Sequence, residues 1–129
     1  MRVKCIADKL SAEQLRKLGP ELLSQEFHLR VGQEYLVYGL QFRFGGRGGI
    51  GVWIEYETEL GYLGFAPMAL FEVANPIVSR LWQFSFASEG TALLEPPSFR
   101  QEFYFDDLSS GVESVLRDFE TVRRALSSE

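Results

Sequence analysis

Between Leu36 and Tyr56 apolar and polar side chains alternate, and this period of two constrains the fold more than any other feature of the chain. The even positions of the first run are Leu36, Tyr38, Leu40, Phe42 and Phe44; those of the second are Ile50, Val52, Ile54 and Tyr56. Glycines 45, 46, 48 and 49 join the runs around Arg47. Two alternating segments around a glycine-rich turn predict a β-hairpin with one buried face. The even side chains are expected to point inward and the odd ones toward water.

The rest of the chain supplies elements to cover that face. Residues 2–7 predict a short strand. Ser11 with Gln14 predicts a capping box at the start of a helix over 12–18, which Gly19-Pro20 ends. Residues 21–30 fit a short helix followed by an extended segment. Further strand patterns lie at 60–65, interrupted by Pro67, at 70–73, and at 81–87, where Trp82, Phe84 and Phe86 share a face. Residues 88–98 read as a loop because Gly90 and Pro96-Pro97 punctuate them, and 99–105 as a last strand. Val112, Val115, Leu116, Phe119, Val122 and Leu126 recur at helical spacing, with Ser110 and Glu113 as a second capping box. The fold class is therefore α+β in a single domain spanning 1–129: a twisted antiparallel sheet, either open or curled into a partly open barrel, with an N-terminal helix and a C-terminal amphipathic helix packed on it.

The 129 residues are 46% hydrophobic, enough for a core without covalent staples. One cysteine, Cys5, cannot form an internal disulfide and falls on the apolar side of the first strand, where a small buried residue is expected. The first residues are broken by Arg2, Lys4, Asp8 and Lys9, so no signal-peptide core forms there and the default location is the cytoplasm. No apolar run is long enough to span a bilayer, so no membrane association is expected. A net charge of −5 argues against a nucleic-acid partner, which calls for a basic footprint.

Few residues carry chemistry. Gly46-Arg47-Gly48-Gly49-Ile50-Gly51 matches GxGxxG, but a dinucleotide site needs a helix after the glycines and a strand follows here. A flexible hairpin tip explains the motif, and the role of 45–51 stays open. His28 is the sole histidine; with one histidine and one cysteine the chain lacks the ligands for a His/Cys zinc site. No catalytic set, metal site or cofactor is expected, and the chain is expected not to be an enzyme.

One surface remains. Glu55, Glu57 and Glu59 fall on the outer face of the second hairpin strand, in line with Trp53, their carboxylates roughly 6–7 Å apart by the strand rise. Pairing around the glycine tip would bring Arg43 to Trp53 and Gln41 to Glu55. Arg43, Arg47, Trp53, Glu55, Glu57 and Glu59 thus form a candidate partner-binding surface, since Trp and Arg are favoured interface anchors. An ordinary solvated strand face has the same pattern.

The stretches 34–39 (Glu-Tyr-Leu-Val-Tyr-Gly), 70–76 (Leu-Phe-Glu-Val-Ala-Asn-Pro) and 79–84 (Ser-Arg-Leu-Trp-Gln-Phe) resemble small bacterial proteins similar to immunity proteins of polymorphic-toxin systems. The resemblance covers about half the chain and implies a non-enzymatic protein that binds and neutralises a cognate toxin. It transfers no site residue. The expected partner is a protein with a basic surface. A small-molecule binder or minor enzyme with an aromatic pocket between sheet and helix, and a homo-oligomeric structural protein pairing through a strand edge, are the alternatives.

Overall fold

The computed structural model describes residues 1–45, 49–87 and 90–129. Seven strands form one antiparallel sheet that does not close: β1 (Arg2–Cys5), β2 (Glu34–Arg43), β3 (Gly51–Glu57), β4 (Leu63–Pro67), β5 (Phe71–Asn75), β6 (Gln83–Ala87) and β7 (Thr91–Glu95). The expected α+β class with an antiparallel sheet is what the chain adopts.

β2 organises the sheet. Its first residues pair with β1, Val3 opposite Tyr35, and β1 pairs onward with β5. Its last residues pair with β7, Leu40 opposite Leu94, and β7 pairs onward with β6. β3 lies along β2 and carries β4 on its far side. Tyr35, Val37, Tyr38 and Phe42 of β2 suit a strand with neighbours along most of its length. An irregularity between Val37 and Gly39 shifts the β2–β3 register and bends the strand.

The predicted N-terminal helix is present as α1 (Ala12–Leu18), with both capping-box bonds formed: Gln14 N donates to Ser11 Oγ at 3.1 Å and Ser11 N to Gln14 Oε1 at 2.8 Å. Pro20 then opens a 3-10 turn over Pro20–Ser24. At the C-terminus α2 (Tyr104–Ser109) precedes α3 (Glu113–Ser127), whose Val115, Phe119, Val122 and Leu126 are buried. Burying each such side chain is worth roughly 1.5–3 kcal/mol. Phe119 is the anchor: its ring stacks on Tyr38 of β2, centroids 5.1 Å apart. Phe119→Ala would remove that contact and leave a cavity, at a cost of about 3–5 kcal/mol.

Three local expectations fail for reasons outside the local sequence. Residues 91–95 are not loop but β7, made a strand by pairing with both β2 and β6. Residues 99–105 are not a strand: a 3-10 turn over Pro97–Arg100 leads into α2, and Phe99 and Tyr104 pack beneath α3. The Ser110–Glu113 capping box is absent, because Ser110 closes α2 and Val112 begins α3 without a side-chain cap.

The sheet is covered on both sides. Val3, Cys5, Leu22, Phe27, Tyr35, Val37, Ile54, Tyr56 and Leu70 belong to one core cluster. Tyr38, Leu63, Phe99, Tyr104, Leu108 and the buried stripe of α3 form another. Val37 and Tyr38 are neighbours on one strand, so their side chains leave opposite faces and serve different clusters.

Candidate functional site

Coverage on both faces decides the fate of the predicted docking row. Alternation does place Trp53, Glu55 and Glu57 on the opposite face from Ile54 and Tyr56. That face is not open to water. Phe65, the cross-strand partner of Glu55, packs edge-on against Phe105 of α2 at 5.6 Å, so the C-terminal helices lie over this side. Trp53 is 1% exposed and Glu55 0%. The expectation that both face solvent is therefore corrected: the C-terminal helical layer lies over the side of Glu55, and Trp53 packs with Leu22 and Phe27 in the first core cluster.

The hairpin register also differs from the expected one by two residues: Gln41 lies opposite Trp53, and Gly39 opposite Glu55. A shift of two preserves the face of every side chain. Arg43 still reaches Trp53 diagonally, its guanidinium carbon 3.9 Å from the ring centroid, and donates to Gln41 Oε1 at 2.9 and 3.2 Å. Phe27 closes the indole from another side, centroids 5.9 Å apart. Arg47 lies outside the described residues.

The three glutamates have three different environments. Glu55 is buried against Gly39 and the Glu95 carboxyl of β7, and neither of its oxygens meets a donor among the described residues. Burial raises its carboxyl well above the ordinary range, the charge of Glu95 adds to this, and Gln41 and Arg43 oppose it. Glu95 is raised as well, chiefly by its own burial, with the nearby Glu55 carboxyl and the charge of Arg100 opposing the rise. Burial and the like charge of Glu95 both favour the neutral acid at Glu55.

Glu57 is clamped. Tyr38 Oη donates to its Oε2 at 3.0 Å, Arg123 Nε donates to the same oxygen at 3.1 Å, and a second Arg123 nitrogen pairs with Oε1. Arg123 also pairs with Glu120. Burial and the neighbouring Glu57 charge push the Tyr38 phenol above its usual range, and the Glu57 hydrogen bond raises Arg123. Glu59 is exposed and paired with Arg30, Nε to Oε1 at 2.6 Å. One glutamate is buried and the other two are neutralised by arginines, so no acidic row faces a partner.

Two other features are open to solvent. A cleft of about 440 Å³ lies between the β1–α1 connection and the segment after the 3-10 turn, floored by Leu22 and Phe27 and rimmed by Lys9 and His28. The predicted aromatic pocket between sheet and helix is not its site; there Tyr38, Phe99, Tyr104 and Phe119 fill the space with ring contacts. Among the described residues no group of three or more His, Cys, Asp or Glu side chains could hold a metal ion, and no helix is long and apolar enough to cross a membrane.

The second feature is aromatic. Among the described residues β6 pairs with β7 alone and so forms an edge of the sheet. Phe84 and Phe86 project from it 64% and 66% exposed, and Phe44, 66% exposed, stacks on Phe86 at 6.4 Å. Cross-strand pairing puts Phe86 in line with Ala92, Phe42 and the exposed Val52 on one face. The sequence places Phe84 and Phe86 together, but it suggests core; their exposure follows from the edge position of β6. Neither a family model, nor a curated protein sequence, nor a solved structure matches the chain.

Proposed function

We propose that this chain is a non-enzymatic protein-binding module that docks its partner through the aromatic end of the sheet at β6. The observation that carries the reading is the cluster of Phe84 and Phe86 on a strand with an open edge and Phe44 stacked on Phe86, each ring about two-thirds exposed. Contiguous exposed aromatic surface is costly in water and marks interaction sites. The surface replaces the acidic row around Glu55. The net charge of −5 still favours approach to a basic partner, as a long-range effect of the whole chain rather than of one patch. In its sharpest form the module is an immunity protein that neutralises a bacterial toxin in the cytoplasm.

Photo-crosslinking in the native cell tests this. Phe86→benzoylphenylalanine is expected to yield protein adducts that Arg117→benzoylphenylalanine, on the solvent side of α3, does not. Equal yields at the two positions, or none at either, would overturn the proposal. The immunity form asks for more: the captured protein must be lethal when expressed alone and tolerated beside this chain.

A second reading, a small-molecule binder, rests on the cleft beside His28, whose volume lies in the range of ligand sites. Glu55 and Glu95, the carboxyls raised by burial, are not among its lining residues. Saturable thermal stabilisation by a metabolite, lost in Leu22→Ala and retained in Phe86→Lys, would favour this reading over the first.

A further inference from the structure

The sheet has three terminal strands, and they differ in how they are protected. β4 is short, largely buried and ends in Pro67, which has no N–H to offer. β5 carries the exposed Glu72 and runs into Asn75-Pro76. Prolines and charges of this kind are the usual devices that stop one sheet edge from pairing with another. β6, Gln-Phe-Ser-Phe-Ala, has none of them: no proline and no charged residue over 83–87. An uncharged edge flanked by exposed rings is a template for one more strand.

We infer that the strand added to β6 comes from a second copy of this chain, joined antiparallel about a twofold axis at Ser85. The inference rests on the reading that this end of the sheet is a docking surface, and it sets a second copy there in place of a basic partner. β6 is complementary to itself in that register. Ser85 faces its own copy, Gln83 faces Ala87, and Phe84 faces Phe86 twice. Cross-strand aromatic pairs are among the favourable contacts between antiparallel strands. A twofold axis normal to the sheet keeps all four β6 rings on one face, with Phe44 of each copy stacked behind its Phe86. Charge points the same way: two copies each carrying −5 repel over most of their surfaces, and the uncharged β6 edge is where they can meet without apposing carboxylates.

The exposed area suits a dimer of modest strength. Three rings about two-thirds exposed offer roughly 400 Å² per copy, half of the roughly 800 Å² that each partner buries in a standard interface. The backbone of the added strand contributes further area.

Light scattering on the purified full chain from about 1 to 200 μM, a range that spans modest affinities, tests the inference. The mass is expected to rise toward twice 14.7 kDa with concentration. The double variant Phe84→Lys/Phe86→Lys should stay monomeric, with its dimer fraction reduced at least tenfold. Leu60→Lys, at a side chain 78% exposed away from β6, should dimerise as the wild type does. Both variants alter exposed positions, and an unchanged circular dichroism spectrum checks that they fold. A wild type that stays monomeric throughout, a dimer that survives the double variant, or one lost equally in Leu60→Lys would overturn the inference. A monomer that still crosslinks at Phe86 to a different protein removes the second copy as occupant and leaves the docking surface standing. An absence of adducts of any mass removes both.

Discussion

The carboxylate of Glu55 occupies the space that a side chain at position 39 would need: a Cβ built on Gly39 falls 2.0 Å from Glu55 Oε1 and 3.0 Å from Glu95 Cβ. Glycine at this point in a strongly formed strand is a requirement of packing, not of backbone conformation. Gly39→Ala is therefore expected to destabilise the chain by about 3 kcal/mol, the range for overpacking a closed core. Glu55→Ala opens the same space, so the double variant should be more stable than Gly39→Ala alone, with a coupling of at least about 1 kcal/mol in a urea-denaturation cycle. Additive effects would mean that the two side chains do not compete for that volume.

The preference of buried Glu55 for its neutral form gives the fold an unusual pH dependence. Burial favours the neutral acid, so the folded-state pKa is raised above the unfolded one. The corresponding stability is complete below the unfolded carboxylate value, near ~4.3, and is lost as pH rises through the folded value. The groups that modulate this loss come from three elements: Glu95 from β7, Gln41 and Arg43 from β2, and Arg100 from the turn after β7. The wild type should lose stability relative to Glu55→Gln as pH rises above the unfolded carboxylate value, with a limiting slope of about 1.4 kcal/mol per pH unit for one proton. Urea midpoints at a series of pH values measure this. Parallel curves for the two proteins would show that Glu55 is ionised in the fold.

On the same face, Tyr38 combines two roles that substitution can separate. Its ring stacks on Phe119 and its hydroxyl donates to Glu57. Tyr38→Phe keeps the stack and leaves Glu57 to Arg123, so the loss should be one hydrogen bond to a charged acceptor, about 1.5–3 kcal/mol. Tyr38→Ala also removes the ring and should cost about 3–5 kcal/mol. If the two variants unfold at the same denaturant concentration, the stack contributes nothing and α3 is held by its other contacts.

What could be foreseen in the sequence follows how local the responsible physics is. α1 was legible because Ser11 and Gln14 satisfy backbone groups within one turn. The stripe of α3 and the β2–β3 hairpin were legible because periodicity is also local. β7 was not: Thr91–Glu95 lies between Gly90 and two prolines and becomes a strand through pairing with distant segments. Burial of Trp53 and Glu55 was hidden because a carboxylate in an alternating run implies water unless a second layer is known. Gly39 was the available signal, since glycine inside a strand marks close approach as readily as a bend. The exposure of Phe84 and Phe86 depends on strand order, which no local pattern encodes.

Phe103 offers a test of stored backbone strain. It is the non-glycine residue with positive φ among the described residues, at φ 63° and ψ 17°, just before α2. For an L-residue with a bulky side chain the left-handed region costs roughly 1–2 kcal/mol. Its ring is 63% exposed, so little burial offsets that cost. Phe103→Gly should relieve the strain at the expense of greater freedom in the unfolded chain. The net expectation is a gain of about 0.5–1 kcal/mol, read as a higher thermal midpoint, with Phe103→Ala showing no comparable gain because alanine keeps the Cβ. A lower midpoint for Phe103→Gly would mean that the ring makes contacts that outweigh the strain.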